Sequence, residues 1–440
     1  MRTPHSPSRD PTDRRRRWGT GRLPTAALAA LAALAAGFPA AVVLGAPACA
    51  GASQWSATRT ATGAGSSSQP VASVGGGDRL AIGWIRRLGG LNRAELREGT
   101  PAGGLRGPAL VLDAQTHLVD SPALAFLDHR GTLAVAWRRY LDGNHRIRGA
   151  IVSPAGRAGP VATLSGAGES AYSPTFIHSP ASFETVALGW SRRTFSQLAN
   201  VTTAGFASPL MLPGAPIFGA VAAFDGAGTE VAAPSNGQQI LDTERPAGAA
   251  SFSQPTVIAS KPTDAGAGPA IASTPNGSVV AVWAQGTALM AAVRPQGGVF
   301  AAPVQIAPAG REPRFVVVTA DSANEILVAY LLPSANLPSG SLEVLRLGPT
   351  GRPLAPAITL AATSVSSPPS VATDNSGAFV GWSSGTAVHV IRIAPGGILG
   401  PVRTLPGPIE FDSLSLTGMP SFGAVATWVS HDRIVYSVYR

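Results

Sequence analysis

Three pairs of adjacent arginines are the residues of this sequence whose type and spacing best suit binding chemistry. Each pair closely follows a tryptophan, and the pairs are Arg86-Arg87, Arg138-Arg139 and Arg192-Arg193. Arg86, Arg139 and Arg192 are spaced 53 residues apart, which places them at equivalent points of a repeat. A guanidinium is permanently charged, and its planar fork of donors matches carboxylate, sulfate or phosphate. The pairs predict an anion-binding sector, with an anionic surface glycan or polymer as the expected partner.

The later copies of the repeat do not keep these arginines. At the place of Arg86 they carry Ser235, Gln285, Leu332, Ser384 and Ser430. An arginine that every copy needed for folding would recur in all of them, so its loss favours a role in ligand binding. The alternative is a solvated loop that three recently duplicated copies have kept, and the sequence leaves both interpretations open.

Local motifs of enzyme active sites are missing from the sequence. It contains no G-x-S-x-G, H-E-x-x-H or phosphate-binding P-loop pattern. One cysteine excludes a disulfide scaffold and a cysteine-based zinc site. The histidines beyond the N-terminal segment are scattered without the spacing of metal ligands; they are His117, His129, His145, His178, His389 and His431. We therefore predict no catalytic residue, no metal and no cofactor.

The elements that must position the arginines are copies of one unit. The copies start near residues 70, 122, 174, 218, 269, 313, 369 and 414, about 49 residues apart. In the 269–308 copy, alternating apolar residues and Gly, Asn or Pro turns predict four short strands. Four strands in a repeat of 40–50 residues are typical of propeller blades. We predict an all-β chain that forms a single β-propeller of eight four-stranded blades, or of seven if the degenerate 218–259 copy does not pack.

The two ends of the repeat region predict how the ring closes. The last copy contains only three strands, whereas Ser53–Ala61 resembles the fourth strands of other copies. This N-terminal strand is therefore expected to complete the last blade. Closure of this kind leaves no end blade exposed.

Recurrent residues within the copies receive structural interpretations. The second strand ends in an aromatic residue, at Trp84, Trp137, Trp190, Trp283, Tyr330, Trp382 and Trp428. A large aromatic that serves every blade alike is expected to pack between neighbouring blades. Asp128, Asp225 and Asp374 precede glycines and are expected to stabilise tight turns.

The N-terminal 50 residues predict export. A basic segment is followed by the apolar run 26–50, which ends in an A-x-A cleavage pattern at Ala48–Ala50. We expect 1–50 to be a signal peptide and 51–440 to be the propeller, outside the cytoplasm or at the cell surface. A retained membrane anchor and a lipid on Cys49 remain as alternatives, and they are the expected routes to a membrane. Of the net charge of +9, +5 lies in residues 1–22, and the +4 left over is too weak to favour nucleic acid. A monomer is expected.

The repeat plan also carries a resemblance. An apolar first strand, a D-x-x-G-like turn and a strand that ends in Trp resemble uncharacterised secreted β-propeller repeat proteins of bacteria, and more distantly the sialidase-like propellers. The resemblance covers 53–440, but the S-x-D-x-G-x-x-W box of sialidases is not reproduced, because Asp374 and Gly377 are three residues apart. It implies an exported binding or interaction scaffold. A glycoside-active enzyme of sialidase-like type is the alternative, because propeller active sites gather residues from distant blades.

Overall fold

A computed structural model of the chain describes residues 54–63, 65–180, 182–213, 222–236, 238–260, 269–308, 310–334, 340–365, 367–406, 414–419 and 423–440. The predicted signal peptide lies outside these residues. Within the described ranges, no helix has the length and apolar character needed to cross a bilayer.

The described residues form antiparallel four-stranded blades, some with a split fourth strand. Blade one contains β2 (Ser66–Gly75), β3 (Arg79–Leu88), β4 (Leu91–Thr100), β5 (Gly104–Leu105) and β6 (Leu110–Gln115). Blade two contains β7 (Val119–Phe126), β8 (Leu133–Leu141), β9 (Asn144–Val152) and β10 (Ala162–Thr163). Blade three contains β11 (Ala171–His178), β12 (Val186–Arg192), β13 (Ser196–Thr202), β14 (Gly205–Phe206) and β15 (Leu210–Leu212). Blade four contains β16 (Ala222–Phe224), β17 (Glu230–Ala232), β18 (Gln239–Arg245) and β19 (Thr256–Ser260).

The second half of the ring follows the same plan. Blade five contains β20 (Ala270–Ser273), β21 (Val279–Gln285), β22 (Ala288–Arg294) and β23 (Val304–Pro308). Blade six contains β24 (Arg314–Ala320), β25 (Ile326–Pro333), β26 (Gly340–Leu347) and β27 (Ile358–Val365). Blade seven contains β28 (Ser370–Asp374), β29 (Gly377–Ser384), β30 (Ala387–Ala394), the 3-10 helix Pro395–Gly397, β31 (Ile398–Leu399) and β32 (Arg403–Leu405). Blade eight contains β33 (Ser415–Gly418), β34 (Ala424–Ser430), β35 (Arg433–Tyr439) and β1 (Arg59–Thr60).

The ring has eight blades, as predicted. The first strand of each blade contacts the first strand of the next, and β2 of blade one contacts β33 of blade eight. The degenerate copy is a complete blade, although β16 and β17 have three residues each. The alternative of seven blades is therefore wrong. All three residues of each strand are buried, and Phe224 packs in one cluster with Leu198 of blade three while Val231 packs with Val279 of blade five.

The last blade is built from both ends of the repeat region. Arg59 and Thr60 of β1 pair with Tyr436 and Val435 of β35. The Thr62 hydroxyl also accepts a hydrogen bond from the Ile434 amide, at 3.1 Å. The N-terminal strand thus closes the ring by covering the free edge of β35.

The recurrent aromatic residues lie between blades, which confirms the structural interpretation. The six tryptophans and Tyr330 are at most 3% exposed. Trp137 of blade two packs in one cluster with Leu96 of blade one, and Trp428 of blade eight packs with Phe379 of blade seven. Each such ring removes a large apolar area from water at an interface that strand hydrogen bonds do not cross.

The turn aspartates are also structural, as expected. Asp128 accepts hydrogen bonds from the amides of Gly131 and Thr132, both at 2.8 Å. Asp225 accepts from the amides of Ala227 and Thr229 at 2.9 Å. These carboxylates satisfy backbone donors that a tight turn leaves unpaired.

The antiparallel order of strands gives the ring two faces. We define the upper face as the face that carries the links between blades and the turns from second to third strands, such as 89–90, 142–143 and 194–195. The lower face carries the turns from first to second strands and from third to fourth strands.

Candidate functional site

The structure brings the three predicted arginine pairs to one sector of the upper face. The pairs lie where β3, β8 and β12 end, and these are the second strands of three adjacent blades. Equivalent residues in adjacent blades stand side by side around the ring. The surroundings of the six arginines differ sharply, however.

Arg86 and Arg139 are held by buried carboxylates. The guanidinium of Arg86 lies 3.2 Å from Glu95, which also accepts a hydrogen bond from the Trp84 indole at 3.1 Å. Arg139 lies 3.5 Å from Asp113, and Trp137 donates to the same carboxylate at 3.0 Å. Burial raises the pKa of Glu95, while Arg86 and the Trp84 indole oppose the shift. Each arginine thus compensates a carboxylate that anchors an interblade tryptophan.

Arg192 occupies the equivalent place without a carboxylate. Its guanidinium donates to the carbonyls of Gly166, at 3.2 Å, and Ala167, at 3.4 Å, and also to the carbonyl of Glu169. Gln197 takes the place of the acid, because it accepts from the Trp190 indole at 3.1 Å and from Arg192 at 3.4 Å. At 6% exposed, Arg192 ties the link from blade two to the end of β12.

Arg138 forms a two-pronged ion pair with Asp120 on the neighbouring first strand. Its guanidinium also lies over the ring of Tyr172, 5.2 Å from the centroid. Asp120 is only 7% exposed, and the Arg138 guanidinium balances its charge. Four of the six predicted arginines are therefore engaged by the protein itself.

Arg87 and Arg193 are different. Both are exposed, and among the described residues neither guanidinium has a hydrogen-bonding or ion-pair partner. Each is the third residue after its interblade tryptophan. In blade two that place is taken by Tyr140, which is 37% exposed. An exposed aromatic ring is thus flanked along the ring of blades by two arginines that are available to a ligand.

Tyr140 belongs to a row of four rings that sequence reasoning missed. His117 lies 6.0 Å from Tyr140, Tyr140 lies 5.4 Å from His145, and His145 lies 5.7 Å from Tyr172, between ring centroids. We call these four residues the Tyr140 row. Burial lowers the pKa of His145, and Arg138 lowers it further while Asp120 opposes the shift. The shift favours the neutral imidazole, whose Nδ1 is buried without a hydrogen-bonding partner among the described residues.

The Tyr140 row and the two exposed arginines can bind a ligand through complementary forces. Aromatic faces offer rigid apolar area with polar tips, and guanidinium groups offer charge-assisted hydrogen bonds. Among the described residues, no group of three or more His, Cys, Asp and Glu is arranged to hold a metal ion. Arg87, Tyr140 and Arg193 are each the third residue after an interblade tryptophan. This equal spacing is the signal by which the sequence could have revealed the surface.

A cleft of about 710 Å³ lies elsewhere, on the lower face between blades one and two. Its lining includes Arg79, Arg97, Glu98 and Arg106. Arg97 is committed to the Ala61 carbonyl, at 2.9 Å, and the Leu105 carbonyl, at 3.4 Å, so it braces the closing strand. The size of the cleft suits a small ligand, but part of the charge that lines it stabilises the ring and does not face the cleft.

Comparison with known proteins supports the fold. No protein-family model matches the chain, and no curated protein matches it. A solved structure described as the Dos1 propeller is 9% identical, with a TM-score of 0.56, over 88% of this chain and 95% of that one. The likeness shows the propeller fold alone.

Two further solved structures are similar at lower scores. Catalytically inactive virginiamycin B lyase from Staphylococcus aureus, with quinupristin, is 12% identical with a TM-score of 0.48, covering 73% of this chain and 97% of that one. Prolyl oligopeptidase B from Galerina marginata is 10% identical with a TM-score of 0.48, covering 83% of this chain and 55% of that one.

Proposed function

We propose that this propeller is an extracytoplasmic binding scaffold that recognises an anionic glycan or surface polymer on the upper face of blades one to three. The contact residues are Arg87, Tyr140 and Arg193, with the rest of the Tyr140 row behind them. The observation that carries the proposal is the exposure of Arg87 and Arg193 without protein partners, on either side of an exposed tyrosine.

The chemistry of the surface selects the ligand class. A glycan presents apolar ring faces that lie flat on tyrosine, and its sulfate or carboxylate groups fit the guanidinium fork. The two arginines belong to blades one and three, so a ligand that meets both must extend across blade two. An extended polymer with repeated charges meets this requirement better than a single small anion.

The arginines that form ion pairs or hydrogen bonds within the protein make this surface rigid. Arg139 and Arg192 hold the ends of the second strands, so the exposed side chains one residue later are presented from fixed backbone. A site presented from rigid strands loses less conformational entropy when it binds. The six predicted residues therefore divide into four that position the surface and two that would contact the ligand.

Binding of dextran sulfate, with neutral dextran as the uncharged comparison, tests the proposal. We expect Arg87→Ser/Arg193→Ser to weaken binding of dextran sulfate roughly thirtyfold, because each charge-assisted contact contributes about 1 kcal/mol. The matched control is Arg130→Ser/Arg157→Ser, which removes two exposed arginines from the lower face of blade two. Binding should also fall as salt rises, since exposed charges are screened within about 8–10 Å.

Two results would overturn the assignment. One is equal weakening in the lower-face control, which would attribute binding to net charge. The other is wild-type protein that binds dextran sulfate no better than dextran. Because both pairs of arginines are exposed, neither double variant should change the melting temperature by more than a degree or two.

The extracytoplasmic location is part of the proposal and rests on the N-terminal sequence. The basic segment, the apolar run 26–50 and the A-x-A end support it. A protein outside the cytoplasm meets anionic surface polymers directly, which agrees with the ligand class that the upper face favours.

A further inference from the structure

Three aliphatic side chains project from the lower face at the same structural place. Val299 is 76% exposed, Leu354 is 51% exposed and Ile398 is 70% exposed. Each lies just beyond a glycine-containing turn between the third and fourth strands, in blades five, six and seven respectively. We call these three residues the lower rim. Leu399 and Val402 extend it beyond Ile398, at 39% and 46% exposed. Equivalent exposed aliphatic residues in three adjacent blades give this part of the lower face an apolar edge.

The lower rim has exposed cationic side chains beside it. Arg352 and Arg403 are exposed beside it. The carboxylates of Asp321 and Asp374 are tied to their own turns by hydrogen bonds from turn amides, and Glu325 forms an ion pair with Arg346. Among the described residues of blades five to seven, the rim thus combines exposed aliphatic side chains with arginines that have no ion-pair partner.

The chain enters the propeller beside this rim. Gln54 donates its amide to the Arg440 carbonyl at 2.9 Å, and Trp55 forms a bridge with Tyr439. Trp55 shares the lining of a cavity of about 210 Å³ with Ile398 and Arg403. The apolar run of the sequence ends at Ala50, and the three residues between it and Gln54 span about 10 Å when extended. A bilayer that holds this run, as an uncleaved signal or as an anchor, lies within reach of the lower rim.

We propose that the lower rim is a membrane-contact surface that rests on a bilayer containing anionic lipids. Aliphatic side chains enter the boundary between headgroups and acyl chains, while arginines beside them pair with lipid phosphates. In this arrangement the lower face meets the bilayer and the upper face, with Arg87, Tyr140 and Arg193, points away from it. The proposal does not depend on the glycan-binding function, because it uses different residues on the opposite face.

The test places an environment-sensitive bimane fluorophore on the full chain, in a Cys49→Ser background. The labelled variants are Ile398→Cys and Leu354→Cys, with Met211→Cys as the control. Met211 is 62% exposed but lies on the fourth strand of blade three. The chain is mixed with vesicles of brominated phosphatidylcholine, with or without phosphatidylglycerol.

We expect bromine to quench the probes at 398 and 354 several-fold more than the probe at 211, and only when phosphatidylglycerol is present. Because every variant carries the same residues 1–50, the comparison between probes reports the position of the rim and not simple attachment. Absence of quenching at 398 and 354, or equal quenching at 211, would overturn the proposal.

A second comparison tests the part played by charge. Arg352→Ser/Arg403→Ser should lower the quenching at 398 several-fold, whereas Arg130→Ser/Arg157→Ser, on the lower face of blade two, should leave it unchanged. If both pairs lower the quenching equally, net charge governs attachment and the assignment to this rim is wrong.

Discussion

A buried carboxylate between blades four and five should make the propeller less stable at neutral pH than in mild acid. Asp242 in β18 is 8% exposed, and its Oδ1 has no hydrogen-bonding partner among the described residues. The nearby Arg294 is engaged by Asp225 and Glu244. Burial raises the pKa of Asp242 to about 6, with Arg294 opposing the shift and Glu244 adding to it.

The size of the effect follows from that shift. The ordinary pKa is 3.8, so the folded state holds the proton more tightly over about two pH units, equivalent to ~3 kcal/mol. A folded pKa above the unfolded one gives a penalty that is complete above the folded pKa and absent below the unfolded one. The change Asp242→Asn removes the charge at constant shape. It should raise the free energy of unfolding by up to ~3 kcal/mol at pH 8, and by only ~0.5 kcal/mol near pH 4.

Urea unfolding at both pH values measures this difference, with tryptophan fluorescence as the signal. Trp283 packs with Ile240 at the same blade interface and reports on it. Asp225→Asn is the matched control and should act in the opposite direction. Burial alone would raise the pKa of Asp225, but turn amides and Arg294 lower it overall, so losing the charge should destabilise the protein at pH 8. If Asp242→Asn gives the same gain at pH 4 and pH 8, the cause is packing and the electrostatic reasoning is refuted.

Two further predictions concern the ring itself. Arg192→Ser should lower the free energy of unfolding by about 1–3 kcal/mol, because it removes a 6% exposed guanidinium whose hydrogen bonds hold the link from blade two; unchanged unfolding in urea would show that the link does not need this anchor. Removal of the residues before Ser66 should expose the edge of β35 and the cluster around Tyr436, with a loss of several kcal/mol and a tendency to aggregate; a melting temperature equal to that of the longer chain would contradict it.

The sequence predicts the fold well because each copy of the repeat carries the same pattern of residues. Alternating apolar residues, turn glycines and a terminal aromatic recur in nearly every copy, so each copy independently indicates the same four strands. The ring-closing strand was predictable from an incomplete last copy. That blade four would form was harder to predict, because its first two strands have only three residues each and it lacks the terminal aromatic residue. Phe224 and Val231 stabilise this blade by packing against the neighbouring blades.

The candidate site could be predicted only in part. The arginine pairs stand out by their spacing, but the partners that engage them do not. Asp113, which holds Arg139, lies on the fourth strand of the preceding blade, and the carbonyls that hold Arg192 belong to an irregular link. Fourth strands and links vary most between copies, so repeat analysis carries little information about them. The histidines of the Tyr140 row look scattered in sequence because His117 lies in the link before blade two, whereas His145 lies on the third strand of that blade.

The closure through β1 also has a consequence for the biogenesis of the protein. Thr62 and Ile434, which join by a hydrogen bond in the finished ring, are 372 residues apart in sequence. Synthesis proceeds from the N-terminus, so β1 emerges first and has no partner until β35 is made. During that interval seven blades can form locally, but the eighth cannot, and its strand edges stay open to other chains. The ring therefore closes only on a chain translated through β35. The slow, long-range joining of its ends is the step at which a chaperone would most affect the yield of folded protein.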